Sequence, residues 1–134
     1  MAKVIIYTGS NGNVHVCTPT GELPIEEVLV KDCPAGAIIV DDSSLPQGTD
    51  TKFFNAWVLN GTTISVDINK AKSDRLNEYN AVAVQVAQAR QLNTLAGIAN
   101  TTDDATWQAK LSSDRAAIAA ATTTAQLVAI ANPA

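Results

Sequence analysis

The chain opens on two short β-type runs, Lys3–Tyr7 (KVIIY) and Val14–Cys17 (VHVC), separated by GSNGN, whose Gly and Asn tolerate positive φ. That pattern predicts a hairpin. Pro19 and Gly21 break it. In Leu23–Leu29 (LPIEEVL) a Pro at the first helical position, two acids in the first turn and apolar Ile25, Val28 and Leu29 predict a short amphipathic helix. Asp32, Pro34 and Gly36 end it, and Ala37–Val40 (AIIV) reads as a strand before the polar loop DDSSLPQGTD. Phe53–Leu59 (FFNAWVL), the pair Asn60-Gly61 and Thr62–Ile68 (TTISVDI) then predict a second hairpin. On its second arm Ile64, Val66 and Ile68 are expected on one face, with Ser65 and Asp67 on the other.

After Ile68 the period changes. No Gly or Pro occurs from Asn69 to Ala96, Asn69 is a suitable cap, and Leu76, Tyr79, Ala83 and Val86 step by three and four. Val82 and Val84 widen that stripe. A helix of about 25 residues would reach some 40 Å at the standard rise, so part of it must project or meet another helix. Asp103 or Thr102 caps a second helix on which Trp107, Leu111, Asp114 and Ile118 share a face. An antiparallel return along the first helix is the economical arrangement. Thr123 and Gln126 have the spacing of a capping box, so the apolar ending predicts a short packed helix stopped before Pro133. The expected fold class is therefore α+β. A β-rich module over residues 1–68 precedes a helical hairpin with a short terminal helix over residues 69–134.

Composition narrows the function more than it defines one. Charged residues make up 16 % and aromatic residues 4 % of the 134 positions, so a core of bulky side chains is not expected. The net charge of −4 repels a phosphate backbone and sets nucleic acid aside as a partner. MAKVIIYTGSNG lacks the long apolar core of a secretory leader, and no run approaches a membrane span.

Candidate chemistry is sparse. His15 is the only histidine and reads as an exposed strand residue; with Cys17 and Cys33 sixteen positions apart, no CxxC or two-His metal set exists. The two cysteines are expected as buried reduced thiols, with a disulfide between them or to a partner as the alternative. Asp41-Asp42 beside Ser43-Ser44 reads as a solvated loop or cap, Glu26 and Glu27 as helix-opening acids, and TGSNGN lacks the Lys-Ser/Thr pair of a phosphate loop. Neither catalytic residues nor a cofactor nor a metal is expected. Trp57, Trp107, Phe53, Phe54 and Tyr79 hold most of the aromatic surface, and core packing is their default role. Phe53 and Phe54, as neighbours on one strand, would face opposite sides, so one of them is expected to cover a second surface. The Ala-rich helices present small, weakly charged faces that suit protein association.

In order along the chain, MAKVIIYT, PTGELPIEEVLVKDCPAG, IVDDSSLP, FFNAWVLNG and ISVDINKAK resemble the opening of a broad group of small tailed-phage proteins. These share an N-terminal β module, an Ala-Trp strand ending in a hairpin, and then a long helix. AIAAATTTAQLVAIANP is similar to the closure of phage tail-fibre assembly proteins, on Thr122, Thr123, Leu127, Ile130 and Pro133. The resemblance implies a non-enzymatic, chaperone-like assembly protein acting in the host cytoplasm, or a structural component retained in the virion tail. The implied partner is a tail-fibre or baseplate protein, with self-association as a further expectation. The candidate contact residues are Phe53, Phe54, Trp57, Trp107, Leu127 and Ile130. One departure stands out: many relatives carry a Lys/Arg/Glu-rich long helix, whereas Ala81–Ala99 here is rich in Ala, Val and Gln.

Overall fold

The computed structural model describes residues 2–134, and the fold is α+β. The chain forms two compact units, Met1–Asp67 and Ile68–Ala134.

In the first unit, β1 (Lys3–Thr8) is the centre of a three-stranded antiparallel sheet, flanked by β2 (Val14–Cys17) and β3 (Ile38–Asp41). The helix α1 (Ile25–Asp32) lies between β2 and β3 in sequence, and a separate hairpin pairs β4 (Trp57–Asn60) with β5 (Thr63–Val66). Because side chains alternate across a strand, Val4 and Ile6 face one way and Ile5 the other. Val4, Ile6, Val14, Trp57 and Ile64 form one buried cluster, so the β4–β5 hairpin covers the first face. Ile5 is fully buried on the second face, where α1 packs against β1 and β3.

Four local expectations are corrected here. Phe53–Leu59 is not one strand: Gly48–Ala56 winds as 3₁₀ turns kinked at Phe53 (φ −112°, ψ 40°), and extended structure begins only at Trp57. The loop DDSSLPQGTD likewise carries a 3₁₀ turn at Asp42–Ser44. The hairpin loop is Gly61-Thr62 rather than Asn60-Gly61, since Asn60 pairs with Thr63. Gly61 has φ +61° and among the described residues no non-glycine has positive φ, which fits a type II′ turn needing its left-handed residue only at the first central position. Ile64 and Val66 share the core side as expected, but Ile68 belongs to the following helix.

The ends of α1 also shift. Pro24 stands before the helix instead of inside it and makes no side-chain cap, while Glu26 and Glu27 occupy the first turn. Asp41 lies in β3, where its carboxylate takes a 3.0 Å ion pair from Lys3, its register partner on β1. His15 is half-buried rather than exposed. Its ring stacks on Tyr7 with centroids 5.2 Å apart and planes 9° from parallel. A Cβ on Gly9 would meet the His15 ring, so a side chain there would have to displace that ring from its stack on Tyr7.

The second unit holds α2 (Ile68–Leu95), α3 (Asp104–Ala120) and α4 (Thr124–Ala129). α3 returns antiparallel to α2: Lys72 donates to the Ala119 carbonyl, Tyr79 to Asp114, and Arg90 to Asp104. Between them, Ile98 N–H donates to Asn93 O and Gly97 N–H to Thr94 O, the paired bonds of a Schellman stop. Asp103 caps α3 by accepting from Thr106 N–H at 2.7 Å.

The buried row of α2 is Ala71, Arg75, Tyr79 and Ala83, a strict four-residue step. Tyr79 and Ala83 belong to the expected stripe, whereas Leu76, Val82 and Val86 are half-buried and Val84 is exposed. Leu111 and Ile118 of α3, then Ala121, Thr124 and Leu127, complete the core. Thr123 accepts from Gln126 N–H. The reciprocal bond runs from Thr122 N–H to Gln126 Oε1 at 2.7 Å, one residue outside the usual box.

Candidate functional site

The six candidate contact residues do not form one patch. Phe53, Phe54 and Trp57 belong to the first unit, and Trp107, Leu127 and Ile130 to the second. Trp57 is a core residue whose indole N–H donates to the Asp50 carbonyl at 3.0 Å. Phe53 is 7 % exposed and Phe54 40 %, so the pair does divide between core and surface, but on a 3₁₀ coil and not on a strand. Phe54 tilts against the Trp57 ring at 4.7 Å. It is the aromatic member of this group with surface to offer.

In the second unit, Leu127 is fully buried and Ile130 half-buried, and both are held by a residue that the sequence reading passed over. Buried Arg75 donates from Nε to the Leu127 carbonyl, from NH2 to the Ile130 carbonyl and from NH1 to Asn132 Oδ1, at 3.3, 2.6 and 2.8 Å. Its guanidinium also lies 5.9 Å from the Tyr79 ring centroid. These bonds engage carbonyls at the end of α4, and the Glu78 carboxylate, 3.7 Å from the guanidinium, adds a counter-charge. The closing segment therefore docks within its own unit, and Leu127 is a packing anchor with no surface for a partner. The available signal was positional, because Arg75 falls four residues from both Ala71 and Tyr79 in an otherwise small and apolar row.

A second polar contact joins the helices. Tyr79 donates to Asp114 at 2.6 Å, and Lys110 donates to the same carboxylate at 2.9 Å. Burial, together with the bond to Asp114, pushes the Tyr79 phenol up to about 12. Burial alone would raise Asp114, but the bonds from Tyr79 and Lys110 outweigh it and hold the carboxyl below its ordinary value.

Trp107 occupies the open side of the α2–α3 pair. Arg90 lies 5.0 Å over its ring and donates to Asp104 and to the Thr102 carbonyl. The indole N–H is buried and meets no acceptor among the described residues. Two adjoining recesses of about 270 and 430 Å³ run along this side and share Ala87, Trp107 and Gln108. Val84 edges the larger recess, and Leu92, Leu95 and Ile98 continue along the outer surface toward the turn, with Leu92 65 % and Leu95 76 % exposed. Between Glu78 and Asp103 the only charged side chain is Arg90. A surface of this kind accepts apolar side chains. The polar lining of the smaller recess includes Arg90 and Asp104, which are paired with each other.

Among the described residues no cluster of three His, Cys, Asp or Glu could hold a metal ion, and no helix is long and apolar enough to cross a membrane. No protein-family profile, curated protein or solved structure matches the chain.

Proposed function

We propose that the protein is a non-enzymatic, chaperone-like assembly protein of a phage tail, binding a tail-fibre or other tail protein through apolar surface on its second unit. The observation that carries this reading is the uncharged outer face of α2, where Val84 edges the Trp107 recess and Leu92 and Leu95 stand exposed nearer the end of the helix. Exposed apolar residues at positions 84, 92 and 95 fall along one side of a helix, and a soluble chain keeps such a face where it has something to cover. The order of motifs that resembles small tail-fibre-region proteins supplies the class of partner. Leu127 and Ile130 support the face from within by anchoring α4, and Phe54 is a secondary contact. The role needs neither cofactor nor metal, and it places the protein in the host cytoplasm while tails are built.

Co-expression with a tail-fibre protein tests it. Fibre should become soluble and trimeric with the wild-type chain and fail to do so with Leu92→Asp/Leu95→Asp. Fibre that assembles equally well without the protein would sink the reading. A stoichiometric band in purified virions would replace transient assistance by a permanent structural role on the fibre or baseplate.

A further inference from the structure

The first unit brings its two cysteines together. Cys17 is the register partner of Ile5, so it points to the face of the sheet that α1 covers, alongside Ile39. Cys33 is the residue on which α1 ends, in extended conformation (φ −116°, ψ 150°). Lys31 and Asp32, from the last turn of α1, wall the same recess of about 320 Å³ as Cys17. Cys33 follows Asp32 directly, close enough to Cys17 for the two thiols to interact, and both cysteines are half-buried. No third ligand completes a metal site with them among the described residues.

We propose that Cys17 and Cys33 are a site of reversible oxidation, closing to an intramolecular disulfide by exchange with a low-molecular-weight disulfide and so stapling α1 to the sheet. In the first step one protein thiolate attacks a sulfur of the small disulfide; the S–S bond breaks and one small thiolate leaves. In the second step the other cysteine loses its proton and attacks the protein-bound sulfur of the mixed disulfide, releasing the second small thiolate. The released thiolates take up the two protons given up by Cys17 and Cys33. The protein dithiol is oxidised by two electrons and the small disulfide is reduced to two thiols.

The staple falls on a helix with light non-covalent attachment. α1 has no fully buried residue and no side-chain cap at its start; Ile25, Val28 and Leu29 are only half-buried. A helix held that lightly opens at low free energy, and a bond from its last turn to β2 confines it. Partial burial, the neighbouring Cys17 and the Asp32 carboxylate all push the Cys33 thiol up. Exchange should therefore accelerate as pH rises.

The full chain would be incubated with oxidised and reduced glutathione at graded ratios, quenched in acid, alkylated and mapped after trypsin, which separates the cysteines by cutting at Lys31. The expected product is a monomer lacking both free thiols, retaining no glutathione and yielding a peptide pair joined through Cys17 and Cys33. Cys17→Ser and Cys33→Ser should each keep one stable glutathione. A wild-type chain that accumulates two glutathione adducts, stays reduced at every ratio, or forms only intermolecular dimers overturns the proposal. Hydrogen exchange across residues 25–33 should slow by about tenfold or more on oxidation; a disulfide that forms without slowing it would overturn the stapling role.

Discussion

Met1–Asp67 buries Val4, Ile6, Val14, Trp57 and Ile64 against one another, a cluster without an ionisable group, whereas Ile68–Ala134 buries Arg75 beside Tyr79 in a core otherwise dominated by alanine and a few aliphatics. In the first unit the sheet offers two faces, and β-branched or aromatic residues fill one of them. In the second, Ala71, Ala83 and Ala121 allow close approach but contribute little apolar area each. Hydrogen bonds from Arg75 and Tyr79 supply direction where bulk is missing. A core of small side chains can thus be made specific by polar groups, provided that every one of them is partnered.

The largest effect should come from Trp57→Ala, which empties the centre of the apolar cluster and costs about 4 kcal/mol. Denaturant titration would measure it, and a loss under about 1 kcal/mol would show that the hairpin does not depend on this ring. Arg75→Met comes next. It retains most of the stem while stripping donors from Leu127, Ile130 and Asn132, and should cost about 3 kcal/mol, with α4 amides losing exchange protection.

Deleting the residues after Ala121 should also destabilise the unit. In that background Arg75→Met should become nearly neutral, because the three acceptors that the arginine serves are gone. If the substitution costs the same with and without those residues, the arginine is not their latch.

Tyr79→Phe should cost about 2 kcal/mol, because it leaves the half-buried Asp114 carboxylate without the hydrogen bond from the phenol. A raised phenol stabilises the fold fully below its unfolded value near 10. That contribution is lost as pH climbs toward about 12. Melting curves of the wild type should therefore fall across that window, and those of Tyr79→Phe should be flatter. Asp114 acts in the opposite direction: its lowered carboxyl stabilises above roughly pH 4 and stops doing so as acid protonates it. The smallest effect belongs to Leu92→Ser/Leu95→Ser, expected within about 0.5 kcal/mol of wild type in stability because both side chains are exposed. A large loss would place them in the core and remove the proposed docking face.

What could be read from the sequence was whatever neighbours decide. α2, Ile68–Leu95, takes in nearly all of the run from Asn69 to Ala96 without Gly or Pro, with Asn69 inside the helix and not its cap, and Asp103 and Thr123 cap the helices that follow them. The second hairpin was visible but its loop was displaced by one residue, because glycine at one position suffices for a II′ turn and Asn60 gains more in the ladder. Phe53 and Phe54 resemble strand residues by type, yet their backbone coils so that the Trp57 N–H reaches Asp50 O. Arg75 was hidden because its partners are 52 to 57 positions away. The meeting of Cys17 with Cys33 depends on where α1 crosses the sheet, which no local pattern states. Of the candidate site, the aromatic types were legible, but which of them stay buried was not, and the exposed row on α2 emerged only once Ala71, Arg75, Tyr79 and Ala83 were known to face inward.

The reach of Arg75 also sets a timetable. A growing chain makes the arginine well before Leu127, Ile130 and Asn132, and the last of these is 57 residues later. At roughly 5–20 residues per second that interval is about 3 to 11 s. During it Arg75 has Glu78 of its own helix as a partner, 3.7 Å away in the finished fold, but none of its three hydrogen-bond acceptors, so this latch is expected to close only after the last segment has been made.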